Sequence, residues 1–199
     1  MLIGVRLLEK AEVRVDWRNI ETIYSRSYVC GHCSNRVGSN KGYYTNNNSP
    51  EILSVHVCPH CSLPSVFQGE TQYPGVLPGG LVSHLPTDIE SLYNEARSAF
   101  AAGAFTAAVL ACRKLLMNIA VAQGAPAGLA FITYVQHLSD AGYIPPNGKA
   151  WVDHIRKRGN EATHEISLMS DDDAQELILF SEMLLRFIFE FPKRVPSPK

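Results

Sequence analysis

Two C-x2-C pairs constrain this chain more than any other feature. Cys30-Gly-His-Cys33 and Cys58-Pro-His-Cys61 stand 24 residues apart. Two such knuckles can bring four sulfurs to the corners of a tetrahedron, the geometry that Zn²⁺ takes with thiolates. With cysteine at all four corners the site is closed, and no position is left for a catalytic water. A structural Zn²⁺ on Cys30, Cys33, Cys58 and Cys61 is therefore the reading. A rubredoxin-like iron site uses the same ligands. A redox dithiol pair uses the same residue type, although no βαβ unit of the thioredoxin kind can be read nearby. His32 and His60 sit inside the knuckles, as substitute ligands or as exposed imidazoles.

The residues around these pairs read as a small sheet. From Ser25 to Gln72 cysteine, glycine, asparagine and serine dominate. Three β-type runs are visible: SYV before the first pair, GYY in the middle and EILSVHV before the second. The segment TNNNSP is a turn cluster. A unit of about fifty residues buries too little core to stand alone, so bound metal would supply folding energy, on the order of 10–16 kcal/mol in isolated zinc modules. Its basic residues are few: Arg26, Arg36 and Lys41. Tyr28, Tyr43 and Tyr44 are placed either to stack on bases or to pack on the sheet. The balance favours contact with protein, or bracing of a neighbouring unit, over contact with nucleic acid.

The remainder divides by composition. Residues 1–24 form an N-terminal segment that fits a strand or a helix, 25–72 the zinc ribbon, 73–86 a linker with three prolines and three glycines, 87–192 a helical domain and 193–199 a basic tail. No internal repeat is read. Thr87 to Glu90 fits a capping box with Thr87 at the N-cap, opening a helix that stops near Gly103. The second helix, 104–123, carries Phe105, Ala108, Cys112, Leu115 and Ile119 on one stripe, widened by Val109 and Leu116, and belongs in the middle of a bundle. Cys112 reads as a buried, inert thiol. Arg113 projects from the same helix and is expected to form an internal ion pair, with Glu95 or Glu161 as partner. A third helix covers 129–142 and ends at Gly142. A fourth begins near Gly148, buries Trp151, Val152 and Ile155, and continues through Arg156 to Glu165. The fifth is capped by Ser170 ahead of three aspartates. Its stripes Leu177, Leu184, Ile188, Phe191 and Ile178, Leu185, Phe189 exceed what one core face needs. That surplus points to a central position or to a partner chain.

The span 87–192 resembles the HEPN superfamily of compact helical bundles. Within it, the span looks like the HEPN-like bacterial domain of unknown function found near restriction and defence genes. The residues that carry the resemblance are FTAAVLACRKLLMNIA (105–120), IRKRGNEATHE (155–165) and the apolar last helix. It covers about half the chain and implies a metal-independent RNA endonuclease of a defence or toxin-like system, with a composite site at a homodimer interface. Arg158 would bind the scissile phosphate and His164 would act as general acid or base. Asn160 would orient the phosphate or the imidazole. A guanidinium matches phosphoryl oxygens with two hydrogen bonds, and imidazole titrates near neutrality.

Helix geometry complicates this set. Six residues at 100° each leave Arg158 and His164 about 120° apart, whereas Asn160 and His164 share a face. Gly159 also separates the arginine from the polar residue. The plainer reading makes Arg156, Lys157 and Arg158 a solvated face. The alternative function is a non-catalytic dimeric interaction module that uses the ribbon to recognise a protein or nucleic acid.

The fold class expected is α+β: a mainly α-helical bundle of about five helices with a small N-terminal zinc-ribbon β domain. Charged residues are 19% of the chain and the net charge is −1, so any contact with nucleic acid must come from local patches rather than from bulk charge. Arg6, Glu9, Lys10, Glu12 and Arg14 interrupt any signal-peptide core, and no membrane span is read. A cytoplasmic location with reduced thiols is the expectation.

Overall fold

The computed structural model describes residues 16–45, 53–144 and 168–194. The chain forms two compact units that divide between Val76 and Leu77. The first is an antiparallel sheet of five strands in sequential order: β1 (Glu21–Val29), β2 (Arg36–Tyr44), β3 (Leu53–Val57), β4 (Pro64–Gln68) and β5 (Thr71–Tyr73). β4 and β5 were not among the runs read from the sequence. They form a hairpin closed by Gly69-Glu70, with Gln68 paired to Thr71 and Gly69 at φ 59°. A two-residue loop with glycine first is what a II′ turn requires.

β1 shows how register is kept. Ile23 and Tyr28 are both buried although they stand five positions apart, which a strict period of two forbids. An irregularity between Thr22 and Arg26 shifts the register and returns Tyr28 to the inner face. There Tyr28 meets Phe67 edge-on at 5.1 Å. This places Tyr28 in the core and away from any base-stacking role. His56 is fully buried between Tyr24, Tyr28 and Phe67, with Nδ1 3.2 Å from the Ser39 carbonyl. Burial lowers its pKa and keeps the imidazole neutral in the sheet. β2 and β3 approach closely at Gly42, where a Cβ would stand 1.8 Å from the Val55 carbonyl oxygen.

The second unit is helical. Among the described residues it has four helices: α1 (Thr87–Ala101), α2 (Phe105–Ala122), α3 (Phe131–Asp140) and α4 (Asp171–Leu185). α4 runs on through a π-helical turn (Arg186–Glu190) and a last α turn (Phe191–Arg194). The further helix expected from Gly148 to Glu165, with Trp151, Val152 and Ile155, lies outside the described residues, so the count there is four rather than five. α2 packs against α1, α3 and α4. Ala108, Val109, Cys112, Leu115, Leu116, Ile119 and Ala120 are all buried, as its apolar pattern requires. Among the described residues α2 alone is long and apolar enough to cross a bilayer, and its buried stripe is the centre of the bundle core.

The helix ends correct one expectation and match two others. α1 starts one residue earlier than a Thr87 cap requires. Pro86 occupies the N-cap, and no side chain caps the end. Thr87 is the first helical residue, with Asp88 and Glu90 in the first turn facing the positive end of the helix dipole. Ser170 does cap α4, its Oγ accepting from Asp173 N while Asp173 accepts from Ser170 N. Gly142 follows α3 at φ 80°.

The proline- and glycine-rich stretch after Val76 has no regular structure, yet it is bound to the helices residue by residue. Arg97, only 3% exposed, donates from Nε to the Pro78 carbonyl at 2.8 Å and from NH2 to the Gly79 carbonyl at 2.9 Å. Tyr93 donates to the Gly80 carbonyl, Glu182 accepts from Gly80 N and Arg186 donates to the Leu81 carbonyl. A Cβ on Gly79 would stand 2.6 Å from the Tyr93 hydroxyl, so glycine lets the strap lie flat. Ser83 N donates to Glu190, whose carboxylate also pairs with Arg186 and Arg194.

Burial alone would raise the Glu190 pKa, but the Ser83 N–H and the two guanidinium groups hold it below the usual carboxylate range. A carboxyl depressed in the folded state contributes stability that is present above its unfolded value, about 4.3, and lost as pH falls through the folded value. Urea unfolding followed at 222 nm should therefore show the helical unit weakening below about pH 4. Glu190→Gln should be less stable at pH 6 and show a smaller drop on acidification.

Candidate metal centre

The first cysteine pair lies in the connection from β1 to β2, the second in the connection from β3 to β4. The two connections are built alike. Cys30 N donates to the Asn35 carbonyl and Ser34 N to the Cys30 carbonyl; Cys58 N donates to the Leu63 carbonyl and Ser62 N to the Cys58 carbonyl. Ser34 and Ser62 both take a left-handed conformation, at φ 59° and 60°. The reason is visible in the residues: V-C-x-H-C-S occurs at 29–34 and again at 57–62. This short internal repeat corrects the reading of a chain without one.

The four sulfurs lie within 4.8 Å of one another. Cys30 and Cys61 stand 3.7 Å apart, Cys33 and Cys58 3.9 Å. A tetrahedral ion with metal–sulfur bonds of about 2.3 Å needs sulfur–sulfur edges of about 3.8 Å. The donor set fits a metal ion in both number and spacing. Cys30 and Cys58 are buried, and Cys33 and Cys61 are half-buried. Burial pushes the Cys30 and Cys61 thiols up. Cys33 goes the other way, to about 6: burial opposes this, and the N–H groups of Asn35 outweigh it. Four adjacent thiolates repel one another, so full ionisation needs a cation among them.

Residues around the cluster hold the knuckles in place. A Cβ on Gly31 would fall 2.3 Å from the Pro74 carbonyl oxygen and 2.5 Å from that of Gly75. Gln72 donates to the Val29 and Pro74 carbonyls. Trp17 donates from Nε1 to the Ser62 carbonyl at 2.7 Å and leans on Tyr43. Sequence reasoning missed Trp17, which lies in the segment it left unassigned; an indole close before a cysteine knuckle was the available signal. His32 and His60 are exposed and bond to Pro64 and Asn35, outside the ligand set.

The other candidate residues fall differently. Arg158, Asn160 and His164 lie outside the described residues. Cys112 is buried, its thiol pushed up to about 12 by burial, which suits the inert role. Arg113 does not take the expected partner Glu95, which is exposed; Glu161 lies outside the described residues. Its guanidinium instead lies 4.3 Å over the Phe131 ring, and NH1 is buried without a hydrogen-bond partner. An aromatic face attracts a cation through the negative face of its ring.

Fold and site together define a chain with a four-cysteine antiparallel sheet unit followed by an α-helical unit. The family model described as "Domain of unknown function (DUF4145)" matches residues 94–197, just over half of the chain, and the chain belongs to that family. No curated protein and no solved structure gives a significant match.

Proposed function

We propose that the four cysteines hold one structural Zn²⁺, and that the sheet unit is a zinc ribbon acting as a protein-recognition module attached to the helical unit. The observation that carries this reading is the closed set of four thiols at tetrahedral spacing. All corners are taken by protein, so the metal has a bracing role.

Protein is favoured over nucleic acid as the partner of this unit. Arg26 is spent inside the sheet, on Glu70, the Gly69 carbonyl and the Phe67 ring. Lys41 donates to Thr22. Tyr28 is buried and Tyr43 donates to the Arg18 carbonyl. Among the described residues of the sheet unit, Arg18 and Arg36 are left against Asp16 and Glu21. That is too little for a phosphate-binding stripe.

Metal analysis of the purified chain should give about one zinc per chain, since one four-thiolate set holds one ion. The same zinc-loaded chain should show no salt-dependent binding of single-stranded RNA or DNA. Affinity that falls steeply with added salt would overturn the protein-recognition reading.

A second reading is favoured by one sequence observation, the run from Arg158 to His164 within a span that resembles HEPN domains. In it Arg158 neutralises a scissile phosphate, Asn160 orients it and His164 moves the proton, so that RNA is cut by its own 2′-hydroxyl. Cleavage by the zinc-loaded chain that leaves cyclic phosphate ends and disappears in His164→Ala would establish the endonuclease.

A further inference from the structure

Among the described residues the last helix carries one apolar row that the core leaves largely exposed. The two stripes read from the sequence turn inward: Leu177, Ile178, Leu184 and Leu185 are buried, and Ile188 and Phe189 half-buried. Only Phe191 of those residues is exposed. A third row runs along the outer side, made of Leu179, Met183, Phe187 and Phe191; Leu179 is 43% exposed, Phe187 48% and Phe191 39%, while Met183 is half-buried and also touches the core. In an α-helix a step of four residues turns through about 400°, so such a row drifts by about 40° per step. The π turn at Arg186–Glu190 corrects the drift. Its wider i+5 bond, Phe191 N to Arg186 O, sets Phe191 back beside Phe187, with ring centroids 5.3 Å apart.

Alongside this row lies a groove of about 250 Å³ lined by the same four residues with Glu182 and Arg186. The ladder Glu182–Arg186–Glu190–Arg194 stiffens its polar edge. At the N-terminal end of the face stand Asp172 and Glu176; at the other stands Arg194, still 67% exposed while it pairs with Glu190.

We propose that this face of α4 and its extension is the contact between two copies of the chain, packed antiparallel about a two-fold axis. Charge and size both select that occupant and that direction. Antiparallel packing sets the basic end of one copy against the acidic end of the other, twice over; parallel packing would stack like charges. With the axis between Met183 and Phe187, each Met183 meets the partner's Phe187 and each Leu179 the partner's Phe191. Every contact then pairs a smaller side chain with a larger one. The row of each copy enters the groove of the other, as packed helices require. An apolar row of this kind, framed by charges, marks an interaction site on a protein surface. The proposal does not rest on the ribbon or on the endonuclease reading.

The test is sedimentation equilibrium of the full zinc-loaded chain across the micromolar range. Wild type should be a dimer. Phe187→Glu should raise the dissociation constant by at least about tenfold, with an unchanged far-ultraviolet circular dichroism spectrum because the side chain is half exposed. Met183→Lys alone should dissociate as well, and mixing it with Phe187→Glu should restore a dimer, since the new charges oppose each other in this register. A monomeric wild type would overturn the proposal and assign the face to a different partner. A dimer that survives Phe187→Glu with an unchanged constant would move the interface elsewhere. Dissociation of both variants without rescue on mixing would overturn the antiparallel register.

Discussion

Cys58→Ser is expected to unfold the sheet unit and leave the helical unit folded. Cys58 is fully buried between β3 and β4, and its sulfur closes one edge of the cluster with Cys33. The apolar core of this unit is small: Tyr28 and Phe67 pack directly on Cys30 and Cys58. Much of its inner face is polar, with Ser39, Ser54, His56 and Ser65 buried. Such a core cannot replace metal binding worth on the order of 10 kcal/mol, which is comparable with the whole stability of a small domain, about 5–15 kcal/mol. Amide NMR signals from residues 16–45 and 53–76 should collapse toward random-coil positions in the variant, and zinc content should fall to zero. Helical ellipticity at 222 nm should persist. A strong chelator should produce the same pattern in the wild-type chain. Retained dispersion of those signals without metal would show that the sheet stands on its own packing.

Arg97→Ala should be the most damaging single substitution in the strap. The side chain is buried, stacks 5.5 Å from the Tyr93 ring centroid and satisfies two strap carbonyls, with Asn94 on its third nitrogen. Truncation leaves the Pro78 and Gly79 carbonyls unpaired, at a cost of about 1–3 kcal/mol each, and opens a cavity beneath them. A loss of about 3 kcal/mol or more in urea unfolding followed at 222 nm is expected. Arg97→Lys should recover little of it, because an ammonium cannot present the fork that reaches both carbonyls. Protease cleavage near Leu81, already 78% exposed, should accelerate. A change under about 1 kcal/mol would mean that the strap is held by Glu182, Arg186 and Glu190 alone.

How much of this could be read beforehand depended on the range of the interaction. The cysteine cluster was legible because its ligands come as two short pairs, each folding locally into a knuckle. The ends of α3 and α4 were legible for the same reason: Gly142 and Ser170 act within a few residues of themselves. Even there, local reading misassigned the start of α1, where Thr87 suits the N-cap but Pro86 takes it. The bulge in β1 also escaped, since two strands must pair before a register shift exists.

Candidate site residues divide along the same line. Spacing singled out Cys30, Cys33, Cys58 and Cys61, and the structure brings all four together. Trp17 could not be placed because its partner Ser62 is 45 residues away. For Arg113 the sequence shows the charges of Glu95 and Glu161, but it does not show that the Phe131 ring lies beneath the guanidinium.

By itself, then, the sequence determined the features that neighbouring residues set among themselves: the two cysteine pairs, the apolar periodicity of α2, the Ser170 cap and the Gly142 stop. Tertiary structure alone decided what the proline–glycine stretch does. Composition makes 73–86 a linker or a stretch without regular structure and says nothing of its partners; in the structure the backbone groups from Pro78 to Ser83 bond to Arg97, Tyr93, Glu182, Arg186 and Glu190. It also decided which of the three apolar rows on α4 faces out. The physical reason is the same in both cases. A residue's partners across the fold depend on where the other helices lie, and no window of local sequence contains them.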